Sequence, residues 1–168
     1  CELIANTLPA GRYSSRAFLS TVGKWLKEAR HDSGEPAEES LLQTAFECGV
    51  PIFVPALNDC SVGIGLVMQQ SKRGLDDSVG IDSILDFHEL AILKTKIGQS
   101  GIVIIGGGVP KNYAQDMVVL AEMLDYEVSQ HVFGIQLSVA DSRDGALSGS
   151  TLSEAVSWGK NAPDMDET

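Results

Sequence analysis

Hydrophobic side chains along this sequence recur with two different periods. Helical spacing is clearest over residues 14–30, and further helices are predicted over residues 36–48, 62–70, 81–97 and 110–124. Between the helices lie short, mostly apolar runs that suit strands buried on both faces, at residues 50–54, 101–105 and 132–139. A last short helix is predicted to start near Thr151.

Strands that alternate with helices of this length indicate parallel pairing, so the sequence predicts a three-layer α/β fold with helices on both faces of a parallel sheet. The polar stretch 31–36 is predicted to be a loop, with Pro36 opening the second helix. Because no repeat or linker divides the chain, residues 1–168 are predicted to form a single domain. Ligands of such folds bind beyond the carboxyl ends of the strands, which places residues 58–61, 106–108 and 140–150 along one edge.

Composition narrows the classes of partner. The chain has 43% hydrophobic and 21% charged residues, which is typical of a folded domain and not of a disordered segment. Its 12 Lys and Arg against 23 Asp and Glu give a net charge of −11, which argues against nucleic acid or an anionic membrane as a partner. No apolar stretch reaches the roughly 20 residues that span a bilayer, and the start of the chain lacks the basic segment of a signal peptide.

Cysteine and histidine are too sparse for a disulfide framework or a zinc site. Cys1, Cys48 and Cys60 form no CxxC pair, and the three histidines lie in separate elements without ligand spacing. We therefore expect a cytoplasmic location and no bound metal. The sequence begins with Cys1 instead of Met and closes on an acidic segment, so we expect a fragment of a longer protein with a solvated acidic tail.

Three consecutive glycines follow the strand predicted at residues 101–105. Gly106, Gly107 and Gly108 would let a ligand approach the backbone, and the helix behind them offers amide donors to a phosphate. A tight strand-to-helix turn is the alternative interpretation, because GGG is not the GxGxxG fingerprint. Asp59 also follows a predicted strand end, where it would either accept hydrogen bonds from ribose hydroxyls or an amine, or cap the next helix.

Glu154 and Trp158 are four residues apart near the end of the chain. On a helix they would share one face, where a carboxylate and an indole together hold an organic cation. Gly159 is expected to end that helix and to let Lys160 leave the regular surface. A lysine becomes a nucleophile only when its surroundings favour the neutral amine, and by residue type alone Lys160 is an ordinary solvated lysine.

Four segments, taken in order, resemble the deoxyhypusine synthase family and its bacterial deoxyhypusine synthase-like members. They are residues 50–59 (VPIFVPALND), 105–112 (IGGGVPKN), 144–149 (DGALSG) and 154–160 (EAVSWGK). The last segment is the most specific of the four. Together they correspond to the later half of the usual length of the family.

The resemblance implies a Rossmann-like, homotetrameric, NAD-dependent transferase with its sites between paired subunits. In that chemistry NAD takes a hydride from the carbon beside the secondary amine of spermidine. The motif lysine attacks the resulting imine, releases 1,3-diaminopropane and holds the butylamine group. An acceptor amine then takes the group, and bound NADH reduces the new imine. The acceptor is a lysine of the hypusine-bearing translation factor in deoxyhypusine synthase, and putrescine in homospermidine synthase-like relatives.

Carried over by position, the resemblance assigns a role to each matching residue. Lys160 matches the nucleophile. The polyamine site is matched by Asn112, Gly145, Glu154 and Trp158. The NAD site is matched by Asp59, Gly106, Gly107, Gly108, Ala140, Asp144 and Ser148.

Three positions depart from the pattern of the eukaryotic enzymes. Ile64 and Leu147 stand where those enzymes carry aspartates, and Asn112 stands where they carry a histidine. Because the polyamine site has fewer carboxylates than in those enzymes, two substrates stay open. We expect the donor to be spermidine or a related polyamine, and the acceptor to be either a protein lysine or a small diamine. A non-catalytic subunit or scaffold that keeps the fold is the alternative to an enzyme.

Overall fold

The computed structural model describes residues 2–33 and 40–167 of the chain. The chain divides into two compact units, Cys1–Asp86 and Phe87–Thr168. Each unit combines helices with parallel strands, so the predicted Rossmann-like α/β class is confirmed. The single domain over residues 1–168 stays a prediction.

The first unit places a small parallel sheet among helices. Its strands pair in parallel with Arg12 opposite Gly80, and its core includes Phe18, Val22 and Leu66. In chain order the elements are α1 (Glu2–Thr7), β1 (Gly11–Tyr13), α2 (Ser15–Ser33), α3 (Leu41–Cys48), a 3-10 turn (Leu57–Asp59), α4 (Ser61–Arg73), β2 (Val79–Ile81) and the start of α5 (Ser83–Lys96). The sequence pattern did not predict α1, β1 or β2.

The ends of α2 and α3 follow from local chemistry. Ser14 caps α2, because its Oγ accepts a hydrogen bond from the amide of Ala17 at 3.0 Å. The helix continues to Ser33, so the loop predicted from residue 31 is wrong over 31–33, where no glycine or proline interrupts it. Pro36, the predicted start of the next helix, lies outside the described residues. The helix α3 ends as predicted at Gly49, whose φ of 66° is left-handed.

Residues 50–54 form no strand, which contradicts the prediction. The amide of Val50 donates to the carbonyl of Ala45 at 2.8 Å, and the amide of Val54 donates to Ser15 Oγ at 2.9 Å. Pro51 has no amide proton to donate. The donors that a sheet would need are therefore used by a helix end and a side chain.

The second unit is a three-stranded parallel sheet in the order β3-β4-β5 with helices against it. Its core brings Ile102 and Ile104 together with Leu152, and Gly134 lets Leu152 and Met165 approach the sheet closely. After the end of α5 the elements are β3 (Ser100–Ile105), α6 (Val109–Met123), β4 (His131–Leu137), a 3-10 turn (Ser142–Asp144), α7 (Leu152–Val156) and β5 (Asn161–Glu167). The predicted strands at 101–105 and 132–139 are confirmed with small shifts of their ends.

The acidic end of the chain belongs to β5, a strand that the sequence pattern did not predict. Asn161 lies opposite His131 in the parallel pairing of β4 with β5. Asn161 is fully buried, and its Nδ2 donates to the carbonyl of Leu152 at 3.0 Å, which ties the strand to the start of α7. Backbone pairing with β4 and the buried contact of Asn161 keep the segment in the sheet despite its acidic composition.

Candidate functional site

A cavity of about 820 Å³ lies in the second unit beside α6 and α7. We call it the lysine cavity. All five residues predicted to be catalytic or to bind the polyamine line it, namely Asn112, Gly145, Glu154, Trp158 and Lys160. Apolar side chains such as Val119, Leu120 and Met123 complete the wall.

The turn after α7 delivers Lys160 to the cavity. The helix ends at Val156, and the amides of Gly159 and Lys160 bond back to the carbonyls of Val156 and Ala155 at 3.0 and 3.1 Å. Gly159 has a φ of 73°, so these bonds form a Schellman motif that glycine favours. Trp158 therefore lies beyond the helix, and the predicted helical stacking of Glu154 and Trp158 is wrong although both line the cavity.

Lys160 is not a solvated lysine, since its side chain is only 12% exposed. Its Nζ donates to Asn112 Oδ1 at 2.7 Å and lies 2.8 Å from Asp116 Oδ1. The same atom is 5.9 Å from the ring centre of Trp158, within the range of a cation–π contact. An amine is thus held at the cavity wall by one carboxylate, one amide and one indole.

Asp116 is the site residue that sequence reasoning missed. Asn112 Nδ2 donates to Asp116 Oδ2 at 2.6 Å, so the residue that contacts Lys160 also orients its carboxylate. The signal in the sequence was the spacing of four residues on α6, which places Asn112 and Asp116 on one helix face. Leu147, which stands where the eukaryotic enzymes carry an aspartate, lines the same cavity. Asp116 therefore supplies a carboxylate that Leu147 does not.

Glu154 divides its carboxylate between two tasks. Its Oε2 accepts from the Thr151 amide at 2.6 Å, while Thr151 Oγ1 accepts from the Glu154 amide at 3.2 Å, which is a capping box for α7. Among the described residues Oε1 has no hydrogen-bond partner. Glu154 therefore retains an acceptor for a cation in the cavity.

A second cavity of about 440 Å³, which we call the serine groove, adjoins the first. Two of the predicted cofactor residues, Ala140 and Ser148, line it. Most of the remaining lining is small or hydroxylated, which leaves room and hydrogen-bonding groups for a polar ligand. The two cavities share the wall residues Ser142, Ser150 and Thr151.

The glycine turn packs against the loop that forms this groove. Gly106 and Gly108 have φ values of 91° and 73°, in the region that favours glycine. A Cβ on Gly107 would lie 2.8 Å from Ser148 Cα, so the close approach at this position is to the chain itself. The turn therefore serves the fold at Gly107, while a Cβ on Gly106 would meet no atom within 4 Å.

Of the two predicted acidic cofactor residues, Asp144 lies in the second unit and Asp59 in the first. Asp144 is exposed, accepts a hydrogen bond from the Asp141 amide at 3.2 Å and is not among the residues that line either cavity. Asp59 belongs to the 3-10 turn of the first unit, so it does not follow a strand end as predicted. It does not cap α4 either, because the N-cap position is Cys60, whose side chain makes no capping hydrogen bond.

Over residues 2–33 and 40–167, no three His, Cys, Asp or Glu side chains are grouped to hold a metal ion. Within the same ranges, every helix is too short or too polar to cross a membrane.

The fold and this cavity define an α/β protein that holds a lysine amine beside carboxylates. The sequence model of the deoxyhypusine synthase family matches residues 2–168, and the chain belongs to that family. The deoxyhypusine synthase-like protein of Chlorobaculum parvum is 52% identical over 159 residues, which cover 94% of this chain and 44% of that protein. The deoxyhypusine synthase-like protein of Coxiella burnetii is 51% identical over 157 residues, 94% of this chain and 43% of that protein.

A more distant relative, the probable deoxyhypusine synthase 2 of Methanosarcina mazei, is 44% identical over 149 residues, 89% of this chain and 41% of that protein. The chain spans less than half the length of each of these relatives.

Proposed function

We propose that the chain is part of an NAD-dependent aminobutyl transferase of the deoxyhypusine synthase type, with Lys160 as the nucleophile. The observation that carries the proposal is the placement of Lys160 Nζ, largely buried at the wall of a large cavity and in contact with Asn112 and Asp116. A surface lysine with a purely solvating role needs none of these contacts.

The lysine cavity suits an elongated, cationic amine such as spermidine. Asp116 and the free Oε1 of Glu154 offer negative charge, and the exposed ring of Trp158 offers a π face. Val119, Leu120 and Met123 supply apolar surface for methylene groups between the charges. Hydrogen bonds to charged groups contribute roughly 1.5–3 kcal/mol each, so two carboxylates would orient such a ligand.

Lys160 must lose a proton before its nitrogen can bond to carbon. The Asp116 carboxylate, 2.8 Å away, is in position to accept that proton, and Asn112 keeps the carboxylate oriented. After hydride loss has made the donor carbon an imine carbon, Lys160 Nζ would add to it, and the C–N bond to 1,3-diaminopropane would break as a proton passes to the leaving amine. A later attack by the acceptor amine returns the Lys160 amine. The roles of Lys160, Asp116 and Asn112 are supported by the contacts among these three side chains.

NAD fits the serine groove by the chemistry of its lining. Ser138, Ser148 and Ser150 provide hydroxyl groups for ribose or phosphate, and the small side chain of Ala140 leaves space. In this proposal Ala140, Ser148 and the turn Gly106–Gly108 hold the cofactor, with Asp59 and Asp144 assigned from the family. When bound, NAD supplies a reversible acceptor for hydride.

The whole protein is further proposed to be a cytoplasmic homotetramer with sites at subunit interfaces. The acceptor is either a lysine of the hypusine-bearing translation factor or a small diamine such as putrescine. Parallel incubation of the labelled enzyme with the factor, with putrescine and with agmatine separates these acceptors. Label that moves only to the factor would exclude the diamine.

The decisive test of the transferase uses the complete gene product, called the full-length protein below, because the chain spans less than half of its relatives. The protein is incubated with NAD and radiolabelled spermidine, reduced with borohydride and digested. Label on the peptide that contains Lys160 supports the proposal. The matched control is Lys96→Arg, at an exposed lysine on α5, and this variant should be labelled as the parent is.

The alternative is a non-catalytic subunit or scaffold that keeps the fold, in which the ion pair between Lys160 and Asp116 has only a structural role. In that case no polyamine would label the protein at any pH, even though NAD binds. The same experiment therefore decides between the two candidates.

A further inference from the structure

Lys111 is a buried cation between the two cavities. It lies in the first turn of α6, directly after Pro110, and is only 4% exposed. Lysine is almost never buried to this degree unless its charge is matched by partners. The motif comparison assigned no role to Lys111, although it adjoins Asn112.

The partners of Lys111 all belong to the wall of the serine groove. Its Nζ donates to Gln136 Oε1 at 3.2 Å, to Ser150 Oγ at 2.9 Å and to the carbonyl oxygen of Ser150. Gln136 lines the serine groove, and Ser150 lines both cavities. Two of the three donors of the ammonium group therefore go to Ser150, which lines both cavities, and the third goes to Gln136 of the serine groove.

Lys111 also lies within electrostatic reach of the lysine cavity. Burial lowers the pKa of Lys111, the negative charge of Glu154 raises it, and the positive charge of Lys160 lowers it further. The next residue on the helix, Asn112, accepts the hydrogen bond from Lys160. One turn of α6 thus contacts the shared wall on one side and the proposed nucleophile on the other.

We propose that Lys111 is a positioning residue that fixes Ser150, and with it the spacing between the amine in the lysine cavity and the cofactor in the serine groove. This inference rests on the proposed function. Hydride transfer requires the donor carbon and its acceptor to be held in contact, and a displacement of about 1 Å costs on the order of 100-fold in rate. Ser150 is the wall residue whose hydroxyl and carbonyl both bond to Lys111.

The test compares three variants of the full-length protein. Lys111→Met removes the charge and the donors but keeps the length of the side chain, and Lys111→Arg restores the charge. Lys96→Met, at an exposed lysine on α5, is the matched control. For each protein we measure turnover of spermidine, KM, and the stoichiometry and Kd of NAD by calorimetry.

We expect Lys111→Met to lower kcat per NAD site about 100-fold, while the number of NAD sites per chain stays at the parental value and the Kd and KM change less than about threefold. Lys111→Arg should recover part of the rate, and Lys96→Met should match the parent. A residue that only stabilises the fold would instead reduce the number of NAD sites and leave kcat per site unchanged, which would overturn the proposal.

If Lys111→Met fails to fold, Ser150→Ala replaces it, because that change removes the Oγ that accepts from Lys111 at 2.9 Å and donates to the Leu147 carbonyl, while the carbonyl of Ser150 remains. A fall in kcat per site of about tenfold, with NAD stoichiometry retained, supports the proposal, and an unchanged kcat refutes it. An inactive parent that also fails to label Lys160 defeats the transferase together with this inference. An active parent with fully active Lys111→Met defeats the inference alone.

Discussion

Two lysines of the second unit have opposite surroundings. Lys94 is fully buried, and among the described residues its Nζ has one hydrogen-bond partner, Ser100 Oγ at 2.6 Å, which in turn contacts His131 Nδ1 at 3.0 Å. Lys160 lies at a cavity wall and contacts a carboxylate as well as an amide. Burial alone lowers the pKa of Lys94 but gives it nothing to react with. Reactivity requires both a counter-charge that can take a proton and space for a substrate.

The largest expected effect comes from Lys160→Arg in the full-length protein. Arginine keeps the positive charge and a similar stem, but its guanidinium is always protonated and cannot attack carbon. Turnover should fall by several powers of ten, because removing a nucleophile costs roughly a million-fold in other enzymes. The NAD dissociation constant, measured alongside, should change little. Turnover above about a tenth of the parental value, only ~1.4 kcal/mol in barrier, would return Lys160 to a charge-only role.

The second effect is a loss of stability in acid that comes from His131, which contacts Ser100, the hydrogen-bond partner of Lys94. Burial, with the nearby Lys94 charge, lowers the pKa of His131 from 6.5 to about 4. Between these two values the unfolded chain binds a proton that the folded chain does not, so stability falls as pH falls, and it is unaffected above pH 6.5. The loss should approach roughly 3 kcal/mol near the lower pKa.

Urea unfolding of the full-length protein between neutral pH and acid measures this loss. His131→Asn, which keeps a polar partner for Ser100 without the titration, should lose less stability than the parent. The matched control is His88→Asn, at an exposed histidine on α5. Equal pH dependence of the parent and His131→Asn would show that His131 does not carry the effect.

The third test weakens the lysine cavity without removing Lys160. Asp116→Asn keeps the shape of the side chain but deletes the charge that faces Lys160 Nζ. Because a charged hydrogen bond contributes roughly 1.5–3 kcal/mol, kcat/KM for the polyamine should fall about 10- to 100-fold. Glu122→Gln, an exposed site on the same helix, should have no effect. An Asp116→Asn protein with parental kcat/KM would remove Asp116 from the site.

The smallest effect is expected at Lys94. Methionine fills a similar volume without a buried charge, so Lys94→Met should change the free energy of unfolding by no more than about 1 kcal/mol, in the stabilising direction or not at all. Turnover should stay at the parental value. A drop of more than tenfold would break the contrast between the two lysines.

Two apolar runs show what the sequence could and could not predict about the fold. Both 50–54 and 101–105 are rich in β-branched residues, yet only the second pairs in a sheet. The run at 101–105 contains no proline and pairs with β4, whereas Pro51 interrupts the first run and the amides of Val50 and Val54 bond to Ala45 and Ser15. Periodicity predicts extended backbone, but the choice of partner depends on residues distant in the sequence.

The site divides in the same way. The resemblance to the family predicted five residues, and all of them line one cavity. Asp116 and the strand β5 were missed, since the pairing of Asp116 with Lys160 and of Asn161 with His131 is set by tertiary contacts. Acidic residues in a terminal segment favour the prediction of a tail, because the sequence does not show that β4 lies beside the segment.

The close approach of Gly107 to Ser148 has a consequence for how sequences of this family can drift. Any side chain at position 107 would collide with the backbone of Ser148, so a substitution there requires the loop at residues 148–150 to shift or change in length. We therefore expect position 107 and residues 148–150 to change together or to stay unchanged. A library aimed at new amine substrates should vary them together and should leave position 107 as glycine wherever the loop is kept.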